Sequence, residues 1–250
     1  MSLLAVRNLS KSFGGVHAVD RVGFSVAAGE LLAMIGPNGA GKTTCFNLIN
    51  GQLQPDAGAV LFEEKEIQAM TPRDRCRLGI GRTFQVAATF GSMTVRENVQ
   101  LAVLSYERKL HSPFSSFAGT AGEGAKEILE QVGMDALADR QCAELAYGDL
   151  KRVELAVALA GRPRLLLMDE PTAGMAPAER HGLMNLVRGI ARGTNLSVLF
   201  TEHDMDVVFV YADRVIVLAD GALIAQGTPA EVRADARVRR VYLGEEAVHA

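Results

Sequence analysis

Long apolar segments are missing from this 250-residue sequence. Stretches without a charged residue, such as Thr83 to Val95 and His111 to Gly122, are shorter than the roughly 18 apolar residues of a membrane-spanning helix. The first residues also lack the basic and apolar regions of a secretion signal, and Ser2 excludes N-myristoylation. We therefore expect a cytosolic protein that does not itself cross the membrane.

Cysteine and net positive charge are also scarce. The three cysteines, Cys45, Cys76 and Cys142, form no Cys-x-x-Cys pair, which argues against a disulfide scaffold or a zinc site. The 26 Lys and Arg residues are outnumbered by 29 Asp and Glu residues, so the net charge is −3. A general nucleic-acid binder needs a broad basic surface, and we therefore expect no nucleic-acid partner.

Short apolar runs alternate with helical patterns towards both ends of the chain, which is typical of an α/β protein. The predicted strands are Leu3–Leu9, Val22–Val26, Leu31–Ile35, Leu165–Met168 and Ser197–Thr201, and the predicted helices are Lys42–Asn50 and Ala178–Ile190. Asp220-Gly221 lies between two apolar runs, Val215–Leu218 and Ala222–Ala225, and predicts a hairpin.

The middle of the chain has few strand signals. Val95–Tyr106 and Lys126–Val132 have helical spacing, and the Ser-, Gly- and Ala-rich segment Ser112–Gly124 between them predicts a loop. We interpret residues 86–161 as a helical subdomain inserted into an α/β core that comprises residues 1–85 and 162–250.

Residues 36–43 form the strongest local motif. They read Gly-Pro-Asn-Gly-Ala-Gly-Lys-Thr and match the phosphate-binding pattern GxxxxGK[ST], between an apolar strand and a helix. The glycines let several backbone N–H groups point at one anion, and the helix N-terminus adds its dipole. Lys42 can reach the β- and γ-phosphates, and Thr43 can offer its hydroxyl to Mg²⁺. The alternative is an ordinary Gly-rich turn between a strand and a helix.

Two acidic residues, Asp169 and Glu170, follow the apolar run Leu165–Met168. A strand ending in a carboxylate beside a phosphate loop can orient Mg²⁺ through Asp169. Glu170 points to the other side and can accept a proton from an attacking water. The alternative is a solvated acidic strand end.

Several motifs together make the sequence resemble the nucleotide-binding subunits of ATP-binding-cassette (ABC) transporters over nearly its whole length. The phosphate loop, Gln85, the segment 145–149, Asp169-Glu170 and His203 occur in the order and at the spacing of that family. The sequence is most similar to the ATPase subunits of branched-chain (hydrophobic) amino-acid importers. That similarity rests on the segments 11–19, 81–85, 145–148, 170–174, 201–204 and 242–245.

The resemblance implies a single nucleotide-binding domain with the ABC-cassette α/β fold: a mostly parallel core sheet, an N-terminal antiparallel β subdomain and the inserted helical subdomain. It implies that Phe13 stacks on adenine, that Gln85 contacts Mg²⁺ or the attacking water, and that His203 holds the γ-phosphate and Glu170 in register. A buried core Phe and a merely structural Gln or His are the alternatives. The implied ATP-binding residues are Phe13, Gly36, Pro37, Asn38, Gly39, Ala40, Gly41, Lys42, Thr43 and Thr44. The implied catalytic residues are Glu170, His203, Gln85 and Lys42, and the implied metal ligands are Thr43, Gln85 and Asp169.

The segment 145–149 corresponds to the family signature that contacts ATP on a second ATPase. The resemblance implies that Ala146, Tyr147 and Gly148 face the partner's ATP, at the N-terminus of a helix that begins near Gly148 or Asp149.

This signature departs from the common Leu-Ser-Gly-Gly-Gln pattern. Ala146 lacks the Ser hydroxyl that would bond the γ-phosphate, although Ala-Tyr-Gly is typical of the importer subfamily. Asp149 adds a negative charge there, or caps the helix. Ala176 stands where an Asp is common in the loop after the catalytic Glu. We hypothesise that the site completed by this signature has altered γ-phosphate contacts.

The segment 86–98 has no charge before Arg96, and Thr94 with Glu97 predicts a capping box at a helix N-terminus. Phe90 and Met93 here are candidates for a groove that receives a short helix from a membrane partner. The alternative is that both side chains pack on the helical subdomain.

The resemblance finally implies an activity and partners. The activity is Mg²⁺-dependent ATP hydrolysis that drives import of a branched-chain or other hydrophobic amino acid. The partners are two integral membrane permease subunits, a homologous second ABC ATPase in a head-to-tail dimer and, indirectly, an extracytoplasmic solute-binding protein, with the chain peripheral at the cytoplasmic face of the inner membrane. Alternatives are an importer of urea, amides or aromatic acids, a lipid or lipopolysaccharide exporter, a soluble ABC ATPase of DNA repair or translation, and a regulatory module that binds ATP without hydrolysing it.

Overall fold

A computed structural model describes residues 2–83, 89–106 and 120–243. The strands in this part of the chain are β1 (Ser2–Phe13), β2 (Val16–Ala27), β3 (Leu31–Ile35), β4 (Ala57–Phe62), β5 (Lys65–Glu66), β6 (Ile80–Arg82), β7 (Leu165–Asp169), β8 (Ser197–Thr201), β9 (Arg214–Ala219) and β10 (Ala222–Gly227). The helices are α1 (Lys42–Asn50), α2 (Pro72–Leu78), α3 (Val95–Tyr106), α4 (Thr120–Val132), α5 (Tyr147–Leu159), α6 (Pro177–Thr194), α7 (Met205–Tyr211), α8 (Pro229–Ala234) and α9 (Ala236–Leu243). Within the same ranges, no helix combines the length and the apolarity that a bilayer span requires.

Four strands form an antiparallel sheet in the order β2-β1-β4-β5. Val6 of β1 pairs with Phe24 on one side and Val60 on the other, and all three side chains are buried. Strands β1 and β2 extend well beyond the predicted Leu3–Leu9 and Val22–Val26. The extension of β1 to residue 13 leaves Phe13 at the rim of this sheet.

A second sheet of six strands forms the core, in the order β10-β9-β3-β8-β7-β6. Five of its strands are parallel, and β10 pairs antiparallel with β9 at one edge. The predicted Asp220-Gly221 hairpin is confirmed, because both residues have the positive φ angles that its two-residue turn needs. The ends of β3, β7 and β8 lie at the same edge, so the segments that follow them converge there.

The core sheet separates two hydrophobic cores. Leu31, Ala33 and Ile35 of β3 face one core, which also contains residues of the helical region. Leu32 and Met34 face the other core, which is shared with the antiparallel sheet and α1. Burial on both faces explains the continuous apolar run in the sequence of this strand.

Helices dominate the described residues between β6 and β7. The predicted helix Val95–Tyr106 coincides with α3, and the predicted capping box is confirmed by bonds between Thr94 and Glu97. The predicted loop Ser112–Gly124 is wrong from Thr120 onward, where α4 begins. Its earlier residues lie outside the described ranges.

The extra turns of α4 are stabilised by small residues. Ala121, Ala125 and Leu129 recur at helical spacing and are all buried, and Gly124 lies against Val103 of α3. Small side chains therefore favour close helix packing here, whereas in the sequence they looked like a loop. The antiparallel sheet, the mostly parallel core sheet and this helical region confirm the predicted fold class.

Candidate functional site

The phosphate loop, residues 36–44, joins β3 to α1 and borders a pocket of about 190 Å³. Gly41 is the residue before α1 and has a φ angle of 99°, which a residue with a side chain rarely adopts. A Cβ atom at Gly41 would also collide with the backbone oxygen of Ala18. The glycine is therefore required by backbone shape as well as by space. Ala18 and Glu170 line the same pocket.

Lys42 lies at the start of α1 with its side chain folded over the loop. Its Nζ donates hydrogen bonds to the backbone oxygens of Gly36 (2.6 Å) and Pro37 (3.1 Å). Burial lowers the pKa of Lys42, and the nearby carboxylates of Glu170 and Asp169 oppose that shift. The ammonium group is thus kept at the loop and provides a positive charge for an anionic ligand.

Asp169 ends β7 and is buried beside the end of β8. Its Oδ1 accepts a hydrogen bond of 2.7 Å from the Thr201 hydroxyl. Its Oδ2 lies 3.5 Å from the guanidinium of Arg82 but accepts no hydrogen bond from any described residue. Arg82 is in turn held by Asn47 of α1 at 2.7 Å. Asp169 therefore has one oxygen that is hydrogen-bonded and a second that is paired with Arg82 but accepts no hydrogen bond from the described residues.

Glu170 and His203 contact each other directly. Glu170 Oε1 lies 2.8 Å from His203 Nε2. Glu170 has a positive φ of 50°, a conformation that is uncommon for a residue with a side chain. Its N–H donates to the Thr201 hydroxyl at 3.0 Å, which stabilises that conformation. The Glu170 carboxylate thus lies against His203, whereas the Asp169 carboxylate is hydrogen-bonded to Thr201.

Phe13 is exposed at the end of β1, with 47% of its surface accessible. The Nζ of Lys11 lies 5.7 Å from the ring centroid. The alternative of a buried core Phe is therefore wrong. An exposed aromatic ring beside a cation offers a flat apolar surface on which a base can stack.

The signature segment, residues 145–149, leads into α5 with Ala146 and Tyr147 exposed. The helix begins at Tyr147, so the predicted start at Gly148 or Asp149 is slightly late. Ala146 occupies the N-cap position, and Asp149 lies inside the first turn rather than capping it. The Tyr147 hydroxyl donates to the backbone oxygen of Ala173 at 3.1 Å, which ties the signature to the loop after Glu170.

Phe90 has 57% of its surface accessible. Its backbone is held by hydrogen bonds to the side chain of Asn98. Asn98 Oδ1 accepts from the Phe90 N–H at 2.8 Å, and Nδ2 donates to the Phe90 oxygen at 3.1 Å. Met93 is half-buried. Gln85, predicted as a metal and water contact, lies outside the described residues.

Sequence reasoning missed several residues that hold the site together. Thr201 and Arg82 restrain Asp169, and Glu202 is buried beside His203. The hydroxyl of Thr201 sits opposite Asp169 in the β7–β8 register. Only that register, which single-sequence patterns do not reveal, identifies the contact.

Comparison with known proteins agrees with this architecture. A family model described as ABC transporter matches residues 19–173, and a model for the branched-chain amino acid ATP-binding cassette transporter matches residues 222–248. The high-affinity branched-chain amino acid transport ATP-binding protein LivG of Salmonella typhimurium is 38% identical, over 97% of this chain and 98% of its own. The lipopolysaccharide export system ATP-binding protein LptB of Escherichia coli is 35% identical, over 98% of this chain and 99% of its own. The crystal structure of the ADP conformation of an ATP-binding cassette from an ABC transporter superposes with a TM-score of 0.86 at 35% identity, covering 98% of this chain and 100% of that chain.

The phosphate loop and the two-sheet architecture define the domain as an ATP-binding cassette of the P-loop class. Matches over nearly the whole length then narrow the assignment. The chain belongs to the family of ABC transporter ATP-binding proteins, among the branched-chain amino acid transporter ATPases.

Proposed function

We propose that this chain is the Mg²⁺-dependent, ATP-hydrolysing subunit of a membrane importer for branched-chain or related hydrophobic amino acids. The hydrolytic activity rests on the 2.8 Å contact between Glu170 and His203 beside the phosphate loop. The importer assignment rests on the match of residues 222–248 to the branched-chain amino acid cassette and on the similarity to LivG.

The residues around the phosphate loop have different roles in the proposed reaction. Lys42 and the backbone N–H groups of the loop bind the β- and γ-phosphates of ATP and hold the γ-phosphate for in-line attack by water. Glu170 accepts a proton from that water, and His203 keeps the Glu170 carboxylate directed at it. Most of the rate enhancement then comes from positioning and from neutralising the phosphate charge.

The surroundings of Asp169 suit a divalent cation. A buried carboxylate oxygen without a hydrogen-bond donor keeps its lone pairs for a ligand, and Oδ2 of Asp169 is in that state among the described residues. Thr43 and Asp169 would hold Mg²⁺, together with Gln85. The bound ion supplies positive charge against the phosphate oxygens.

Replacement of Glu170 by Gln tests the hydrolytic role. We expect Glu170→Gln to lower kcat for ATP by about 100-fold or more, because a positioned general base contributes on that scale. The affinity for ATP should change little, since Lys42 and the phosphate loop are intact. Glu66→Gln, an exposed carboxylate on β5, is the matched control. Undiminished hydrolysis in Glu170→Gln would refute this assignment.

The proposed partners are two integral membrane permeases, a homologous second ABC ATPase and, indirectly, an extracytoplasmic solute-binding protein, at the cytoplasmic face of the inner membrane. Affinity purification of the tagged chain from its native membranes in mild detergent tests this assembly. Two multi-span permeases and a second cassette should co-purify, and their identity narrows the cargo. Recovery with ribosomal or DNA-associated proteins from the soluble fraction would overturn the transport role.

Lipopolysaccharide export is the second candidate, because the similarity to LptB covers 98% of this chain. The Ala146-Tyr147 signature favours the importer, since exporter subunits usually keep a Ser-Gly-Gly signature. The same purification separates the two, because an exporter assembly brings down its own membrane partners and no amino-acid permeases.

Phe90 marks the proposed contact with the permeases. It is exposed, and the neighbouring Thr89 borders a groove of about 260 Å³ between β6, α3 and α5. We expect Phe90→Asp to prevent co-purification of the permeases while ATP binding is retained. Val210→Asp, at an equally exposed apolar residue on α7, is the control. Loss of ATP binding in Phe90→Asp, or unchanged assembly, would exclude this docking site.

The proposed domain division is a core of residues 1–85 and 162–250 and a helical subdomain of residues 86–161. The exposed Ala146 and Tyr147 of that subdomain are proposed to face ATP on the second cassette. Because Ala146 offers no hydroxyl, the site that this signature completes on the partner's phosphate loop should have altered γ-phosphate contacts. Replacing Glu170 by Gln in this chain, or its equivalent in the partner, should therefore lower turnover of the complex unequally, and equal losses would count against the asymmetry.

A further inference from the structure

Glu202 is a buried carboxylate between the two segments that carry Glu170 and His203. It follows β8 directly, and only 4% of its surface is accessible. A buried carboxylate is costly unless hydrogen-bond donors surround it. Its hydrogen bonds therefore indicate what holds it in place.

Three donors from two loops converge on this carboxylate. Its Oε1 accepts from the N–H of Thr172 at 2.8 Å and from the Thr172 hydroxyl at 2.6 Å. Its Oε2 accepts from the N–H of His203 at 3.3 Å. Thr172 lies in the loop that follows Glu170. Glu202 thus links the Glu170 loop to the backbone that presents the His203 imidazole.

A second contact fastens the same two loops at their far ends. Arg180 of α6 donates to the backbone oxygen of Met175 at 2.8 Å and to Asp204 at 2.6 Å. Asp204 caps α7 immediately after His203. The loop from Glu170 to Met175 is therefore clamped to the His203 segment at both ends, and Glu202 is the clamp nearer to the reacting groups.

We propose that Glu202 is a positioning residue for ATP hydrolysis, which acts by keeping the Glu170 carboxylate and the His203 imidazole in register. This inference rests on the proposed catalytic role of that pair. Glu202 itself touches neither the phosphate loop nor the water-facing side of Glu170 among the contacts described. Burial also raises the pKa of Glu202. This carboxyl group therefore acts inside the protein, where it holds the two loops, and not at the surface.

Glu202→Gln tests the proposal, because glutamine offers one acceptor oxygen where the carboxylate offers two. In one orientation of its amide the variant loses the His203 contact, and in the other it loses the contact with the Thr172 N–H. We expect kcat for ATP to fall about tenfold, while KM and the Kd for ATP stay within about twofold because the phosphate loop is untouched.

A double-mutant cycle with His203→Ala separates positioning from general destabilisation. If Glu202 acts through His203, Glu202→Gln in the His203→Ala background should lower kcat by less than about twofold. An equal tenfold loss in both backgrounds, or a neutral Glu202→Gln, would overturn the proposal. Thr172→Val removes one donor of the same clamp and should lower kcat about threefold, which keeps the test decisive if Glu202→Gln does not fold.

Two further variants complete the design. Glu231→Gln is the matched control, because Glu231 also accepts the backbone N–H and the hydroxyl of one threonine, Thr228 at 2.7 and 2.9 Å, and does not line the phosphate-loop pocket; its kcat should be unchanged. Glu170→Gln tests the underlying reaction. If Glu170→Gln hydrolyses ATP normally, the proposed function fails; if it is inactive and Glu202→Gln is neutral, only the positioning role fails.

Discussion

A single buried guanidinium stabilises the helix that follows the phosphate loop, and its loss should be costly. Arg75 of α2 is fully buried. It donates to the backbone oxygens of Leu48 and Ile49, at 2.6 and 2.7 Å, at the C-terminal end of α1. Two further bonds reach the oxygens of Gln68 and Met70. No carboxylate among the described residues pairs with it, so the negative end of the α1 dipole provides the compensating charge.

The expected cost of Arg75→Met follows from these four bonds. Methionine fills a similar volume but donates no hydrogen bond, so the Ile49 oxygen loses its Arg75 donor and the Leu48 oxygen keeps the N–H of Gly51, at 3.3 Å. The burial that lowers the pKa of Arg75 shows that part of the gain is already offset by desolvation of the charge. We expect a net loss of about 4 kcal/mol in the free energy of unfolding. For a chain of this length that corresponds to a Tm lower by roughly 12 °C.

Thermal unfolding followed by circular dichroism measures this effect, with ATP binding measured in parallel. Arg73→Met is the control, because Arg73 lies on the same helix and is exposed; its Tm should stay within about 1 °C. If the Tm of Arg75→Met lies within 3 °C of the parent, the loss is below about 1 kcal/mol. That result would refute the conclusion that the guanidinium stabilises the C-terminal end of α1.

Two other predictions concern the site itself. Phe13→Ala should weaken ATP binding about tenfold, as expected for loss of one base-stacking ring; unchanged affinity in a fluorescent-nucleotide titration would remove Phe13 from the adenine site. The second prediction concerns the pH dependence of stability, because burial raises the pKa of Glu202 in the folded protein. The Glu202 carboxyl binds its proton more tightly in the folded protein than in the unfolded chain. Its protonation therefore adds to the free energy of unfolding below the ordinary pKa of 4.5, and this contribution is lost as the pH rises through the folded pKa. The Tm of the parent relative to Glu202→Gln should therefore fall across that window, and a pH-independent difference would contradict this.

Local patterns in the sequence predicted the parts of the site that depend on local structure. The phosphate loop is recognisable because its glycines, Lys42 and Thr43 must occupy fixed positions in one turn. Asp169 and Glu170 were found for the same reason, since they end an apolar run. The antiparallel sheet was only partly predicted, because β4 is only six residues long and its pairing with β1 joins distant parts of the chain.

Residues that act across strands were not predicted. Arg82, Thr201 and Glu202 lie in segments that carry the family resemblance, but the sequence assigned them no role, because their contacts depend on the parallel alignment of β6, β7 and β8. The predicted loop Ser112–Gly124 was wrong over residues 120–124 for a related reason. Small residues favour turns when they are solvent-exposed, but they also favour close helix contacts, and only the position of α3 decides between the two.

The separation of two hydrophobic cores by one sheet has a consequence for how such a chain changes over evolutionary time. Among the described residues, the side chains on the two faces of β3 belong to separate buried clusters, so well-separated substitutions in the two cores should combine additively. The core beneath the helical region can then be remodelled while the core shared by α1 and the antiparallel sheet keeps its packing. Change in one core and retention of the other thus become separable traits of the same chain.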